Sequence, residues 1–129
     1  MGEGFDLSQF LKLKKAEDGR FLMATDELVK HMVDETLNGT PSDFLAYGFH
    51  YILAKQICGI VRTISKESGI TSCALTGGCF QNSLLLKLCD DELTAGGMKV
   101  YRHSLTPPND GGLALGQAIY GMYALSNKQ

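Results

Sequence analysis

Residues 70–82 read ITSCALTGGCFQN. Ile70 to Thr76 is a short β-prone run without strong charge, as in a buried parallel strand. It ends at Gly77-Gly78. A helical pattern then runs from Phe80 to about Ala95, with Leu84, Leu85, Leu88 and Leu93 on its inward side. The same arrangement recurs further along. Gly96-Gly97 ends the helix, Met98-Lys99-Val100-Tyr101 reads as the next strand, and Leu105 to Asn109 is a proline-rich loop. PPNDGG at 107–112 then opens a last helix, Gly112 to about Leu125, with Leu113, Leu115, Ile119 and Met122 on one side. The order β–loop–α–β–loop–α predicts an α/β fold with right-handed crossovers.

Upstream, Thr40-Pro41 starts a long helix over roughly 41–68, with proline in the first turn where its missing N–H costs nothing. Leu45, Phe49, Ile52, Leu53, Ile57, Ile60, Val61 and Ile64 give it a broad apolar stripe, expected to pack on a sheet, and Ser68-Gly69 stops it. Gly48 and Gly59 inside it predict close packing, since each costs ~1 kcal/mol of helix propensity. Before it, Thr25 or Asp26 caps a helix to about Leu37, whose face is Leu28, Met32, Val33 and Leu37, and Asn38-Gly39 ends it. The segment 10–24, FLKLKKAEDGRFLMA, alternates apolar and polar around Asp18-Gly19 and predicts a β-hairpin.

The chain has 129 residues, enough for one domain spanning 1–129. Apolar residues are 44% and charged residues 20%, an ordinary globular balance, and the net charge is −2. No basic surface or basic–aromatic stripe points to nucleic acid. No run of about 18 apolar residues predicts a membrane span. MGEGFDLSQF lacks the basic and apolar regions of a secretory signal. Cys58, Cys73, Cys79 and Cys89 form no CxxC pair and lie far from His31, His50 and His103, so a zinc knuckle is not expected. The thiols read as reduced, mostly buried hydrophobes of a cytoplasmic protein.

Both glycine pairs lie where an extended segment hands over to a helix. A helix N-terminus there offers free N–H groups and a positive dipole end to an anion, and glycine lets the backbone approach closely. The pattern matches neither a P-loop nor a Rossmann fingerprint. Asn82 can donate to a ribose or base, or cap the helix. Asp110 reads either as an N-cap or as a ligand of a divalent cation that bridges to phosphates.

Together, TGGCFQNSLLLKL (76–88) and LTPPNDGGLALGQAIYG (105–121) resemble the C-terminal end of the HypF-type carbamoyltransferases. The hairpin, the NGTPSDFLAYGFH segment (38–50) and the long helix fall in the same order as in that family. The resemblance implies an RNase H-like lobe of the ASKHA fold, with a mixed sheet, an N-terminal hairpin and packed helices. Two such lobes close over a nucleotide in this family. It implies that Gly77 and Gly78 approach the phosphate of ATP or carbamoyl-adenylate, that Asn82 contacts the nucleotide, and that Asp110 is one ligand of a divalent metal. It implies transfer of a carbamoyl group to the C-terminal cysteine of a HypE-like acceptor, where the thiocarboxamide becomes a cyanide ligand of [NiFe]-hydrogenase.

The family also takes two metal ligands from an HxxxH motif in its first lobe. This chain carries no such spacing, nor the acylphosphatase-like, zinc-finger-like and YrdC-like regions. One wall of the cleft is therefore expected here, with no catalytic residue and little or no transfer activity, because positioning from both sides supplies much of the rate. His50 is expected to be a satisfied core histidine, and Cys79 to be packing. Two other functions stand beside this one. A non-catalytic interaction or nucleotide-binding module would self-associate through the exposed lobe surface. A TsaD-like tRNA-modification lobe is disfavoured by FQN at 80–82 and by the lack of a basic surface.

Overall fold

The computed structural model describes residues 7–127; the start of MGEGFDLSQF lies outside them. Its spine is a 27-residue helix, Ser42–Ser68, roughly 40 Å long at 1.5 Å per residue. Pro41 stands just before it as the N-cap, with extended ψ, and Asp43 accepts a hydrogen bond from the Phe44 N–H at 2.9 Å. Gly69 ends it with φ +74, a left-handed conformation that favours glycine. This helix is α2, preceded by α1, Thr25–Leu37, and followed by α3, Ser83–Ala95, and α4, Leu113–Ser126. The strands are β1, Lys14–Lys15, β2, Phe21–Leu22, β3, Ser72–Leu75, and β4, Lys99–Arg102.

Two apolar clusters meet on α2. In one, Ala54 and Cys58 pack with Leu85, Cys89 and Leu93 of α3 and with Leu75 and Met98 beside the sheet. In the other, Ile52 packs with Phe10 and Leu28. Leu53 touches both. The broad stripe of α2 thus meets a helix as well as a sheet. By length and composition α2 could cross a membrane. Its apolar side chains nevertheless serve as core, and its Lys55 and Arg62 both pair with Glu92 of α3, at 2.8 and 2.7 Å. Buried Gln56 donates to the Phe10 carbonyl at 2.8 Å. Gly59 packs against the Leu13 side chain, but a Cβ there would lie 3.4 Å from it, an ordinary van der Waals contact, so the packing does not demand glycine.

Several expectations are corrected. The N-terminal hairpin exists but is short: Lys14 pairs with Leu22 and Lys15 with Phe21. Phe10 sits in a 3₁₀ turn, Ser8–Leu11, because burying its ring under α1 and α2 outweighs extending the ladder. Helix α1 is capped by neither Thr25 nor Asp26, since Ala24 is its N-cap. Only Leu28 of its expected face is buried, while Val33 and Leu37 face solvent. The four strands form two separate two-stranded sheets rather than one mixed sheet, β1–β2 antiparallel and β3–β4 parallel. The β3–β4 sheet is covered on one face. Cys73, Leu75 and Val100 lie against the helices, while Ser72, Ala74, Lys99 and Tyr101 are exposed. Leu113, Leu115, Ile119 and Met122 of α4 are all exposed, and no α4 residue is buried. Periodicity reports that a face is apolar, not that another described element lies against it.

Candidate functional site

The parallel register sets the site. Leu75 pairs with Arg102, so Thr76 and His103 leave the two strands side by side. The Thr76 hydroxyl and His103 Nε2 are 2.7 Å apart, and His103 Nδ1 lies 3.2 Å from the Thr106 hydroxyl. Gly77 then turns with φ +103, and its N–H donates to the Pro108 carbonyl at 2.9 Å. The two glycine-bearing loops are therefore joined at the carboxyl ends of β3 and β4, where open parallel sheets bind ligands.

Between them lies a cleft of about 550 Å³. Gly77, Gly78, His103 and Asp110 line it, and Gly116, Gln117 and Tyr120 of α4 form its far side. A Cβ at Gly78 would meet nothing within 4 Å, so the backbone there is open to a ligand. At Gly112 a Cβ would lie 2.8 Å from the Pro107 carbonyl, so only glycine permits this tight turn into α4. Asn109, not Asp110, caps the turn, with its side chain accepting from the Gly111 N–H at 3.0 Å. The exposed Asp110 carboxylate forms no hydrogen bond or ion pair with the described residues, which leaves its oxygens available to a cation.

The glycine pair does not open α3 directly. A 3₁₀ turn, Gly78–Gln81, intervenes, and the N-cap of α3 is Asn82, whose Oδ1 accepts from the Leu85 N–H at 3.0 Å. Asn82 does not line the cleft. Its amide Nδ2 donates to His50 Nε2 at 2.8 Å, while His50 Nδ1 donates to the Ala46 carbonyl at 2.7 Å. The carbonyl fixes the proton on Nδ1, so Nε2 is the acceptor. His50 is satisfied, as expected, but half-buried rather than in the core. Cys79 is exposed rather than packed. Cys58 and Cys89 are buried. The hydrogen bond to Cys89, and then burial, push the Cys58 thiol far up and keep it protonated.

The open backbone at Gly78 leaves room for an anionic group such as a phosphate. A metal fits in part, because the described residues hold no group of three or more metal-ligating side chains. Asp110 could serve as one ligand, with phosphate oxygens or another chain completing the shell. Sequence reasoning missed Thr76, His103 and Thr106 as site residues. The signal was present, since aligning the two strand ends in parallel places Thr76 opposite His103.

The family model described as "Carbamoyltransferase, Kae1-like Domain, second subdomain" matches residues 7–117. Carbamoyltransferase HypF of Rhodobacter capsulatus is 38% identical over 63% of this chain and 11% of its own length. The Synechocystis HypF is 33% identical over 71% and 11%. The probable HypF of Methanocaldococcus jannaschii is 26% identical over 82% and 14%. The crystal structure of full-length HypF in its phosphate- and nucleotide-bound form superposes with a TM-score of 0.82 at 29% identity, over 88% of this chain and 15% of that one. The chain thus spans a small fraction of the relatives it matches. Because the family model covers residues 7–117, most of the chain and both of its glycine loops, the chain belongs to the HypF-type carbamoyltransferase family, matching the second subdomain of its Kae1-like domain.

Proposed function

We propose that this chain forms one wall of the nucleotide–metal cleft of a HypF-type carbamoyltransferase, within an RNase H-like lobe of the ASKHA kind. The observation that carries this reading is the convergence of Gly77, Gly78 and Asp110 on one cleft at the ends of two parallel strands. The likeness to a HypF structure bound to phosphate and nucleotide supports it. The open Gly78 backbone would face the phosphate of ATP or carbamoyl-adenylate, and Asp110 would hold the cation that neutralises it. The reaction is transfer of a carbamoyl group to the terminal cysteine of a HypE-like acceptor. The thiolate sulfur bonds to the carbamoyl carbon as its bond to the AMP phosphate oxygen breaks, and AMP leaves. Asn82 serves this site from outside it: its N–H closes the turn after Gly78 by donating to the Cys79 carbonyl at 3.2 Å, and its side chain caps α3.

Isolated, the chain would bind nucleotide weakly and transfer nothing, because a group held from one side is not in attack geometry. Calorimetric titration with ATP and Mg²⁺ tests the site. Gly78→Asp adds a carboxylate to open space, so it should leave folding intact and weaken binding by about tenfold or more through charge repulsion. Affinity unchanged by that substitution removes the glycine loop from the site. Placed in a full-length HypF, Asp110→Ala should abolish transfer. A second reading, an interaction module that self-associates, is favoured by the wholly exposed apolar face of α4.

A further inference from the structure

We propose that His103 is a positioning residue of this cleft. Its imidazole staples the Gly77-Gly78 loop to the loop that carries Asp110, and so sets the spacing at which a phosphate and its cation would be held. The inference rests on the nucleotide–metal reading of the cleft.

Two adjacent glycines give a loop high conformational freedom, so something must hold it in one shape. The structure supplies two ties. One is the Gly77 N–H donating to the Pro108 carbonyl at 2.9 Å. The other is the imidazole, 2.7 Å from the hydroxyl of Thr76, which precedes Gly77, and 3.2 Å from that of Thr106, which precedes Pro107-Pro108. The second tie reaches Asp110 through a stiff path. Pro107 fixes its own φ, and two hydrogen bonds close the turn at Asp110, the Asn109 side chain accepting from the Gly111 N–H at 3.0 Å and the Asn109 carbonyl from the Gly112 N–H at 3.0 Å. A histidine ring is rigid and carries hydrogen-bonding atoms on opposite edges, which lets it bridge two hydroxyls at fixed separation. Each hydroxyl can donate or accept, so the bridge forms with either ring tautomer. His103 also lines the cleft itself, as do the two glycines and Asp110.

Amide hydrogen exchange on the 129-residue chain tests the staple, with Gly77 as reporter because its N–H makes the loop-to-loop bond. His103→Ala should speed Gly77 exchange by about tenfold, the worth of roughly one hydrogen bond. The buried Leu93 amide in α3 should be unaffected. His103→Gln, whose amide reaches Thr76 as Nε2 does, should restore most of the protection; His103→Asn, which reaches only Thr106, should not. Unchanged Gly77 exchange in His103→Ala overturns the proposal. So does equal loss at Gly77 and Leu93, which marks a general stability effect. ATP and Mg²⁺ titrations of the same samples test its functional half. Weaker binding in His103→Ala that is rescued in His103→Gln supports it, and binding indifferent to His103 overturns it. A wild-type chain that binds no ATP, with the exchange result intact, removes the nucleotide reading and the functional half with it.

Discussion

Glu92 shows how one residue can couple two helices. Its carboxylate accepts from Lys55 at 2.8 Å and from Arg62 at 2.7 Å, and its side chain is 25% exposed. The bond from Lys55, then that from Arg62, holds the Glu92 carboxyl below its ordinary value, and the same contact raises Lys55. A carboxyl depressed in the folded state contributes stability above its unfolded pKa, and that contribution is lost as pH falls through the folded pKa. Glu92→Gln should therefore cost about 1 kcal/mol at pH 7, as befits a partly screened pair. The gap between wild type and variant should narrow as pH falls below the ordinary glutamate value of about 4.3 and close only below the depressed folded value, where both side chains are neutral. Thermal melts of the two chains across pH 3–7 decide it; a constant difference would show that packing, not charge, makes the contact.

Among the elements, α3 has the clearest start. Asn82 satisfies the Leu85 N–H and anchors to His50 of α2, so one amide both caps a helix and ties it to its neighbour. Asn82→Ala should cost about 1–2 kcal/mol. Asn82→Asp keeps the cap but loses the donor to His50, and should recover most of that loss; chemical denaturation of the three chains gives the order. A sequence can show such a cap, because asparagine before SLLLKL is a local signal. The α2 boundaries were legible for the same reason, with Pro41 and Gly69 as local punctuation. The ladder of the first hairpin was less so, because alternation at Phe10–Lys14 cannot reveal that Phe10 has a better burial partner across the chain. The cleft was half legible. Gly77, Gly78 and Asp110 stand out by type, whereas Thr76, His103 and Thr106 acquire meaning only once β3 and β4 pair in register.

For the whole molecule, the open surfaces carry the argument. Parallel sheets are normally covered on both faces, yet β3–β4 shows Ser72, Ala74 and Tyr101 to solvent. Helix α4 bears no charged residue from Leu113 to Ser126, and its large apolar side chains are 48–74% exposed. Such a helix matches neither a solvated amphipathic helix nor a described core, and apolar patches of this kind mark association surfaces. The chain spans 15% of the HypF structure it superposes on, so in that enzyme the remaining chain is available to cover equivalent surfaces. Alone, this chain should cover them with a second copy, because an uncharged helix meets its own like without repulsion. Sedimentation velocity should show a dimer or larger species that grows with concentration. Ile119→Lys with Met122→Glu, both on exposed positions, should shift it to monomer without lowering the melting temperature. A wild-type chain that stays monomeric at about millimolar concentration, far above what a micromolar contact of about −8 kcal/mol requires, would count against self-association through α4.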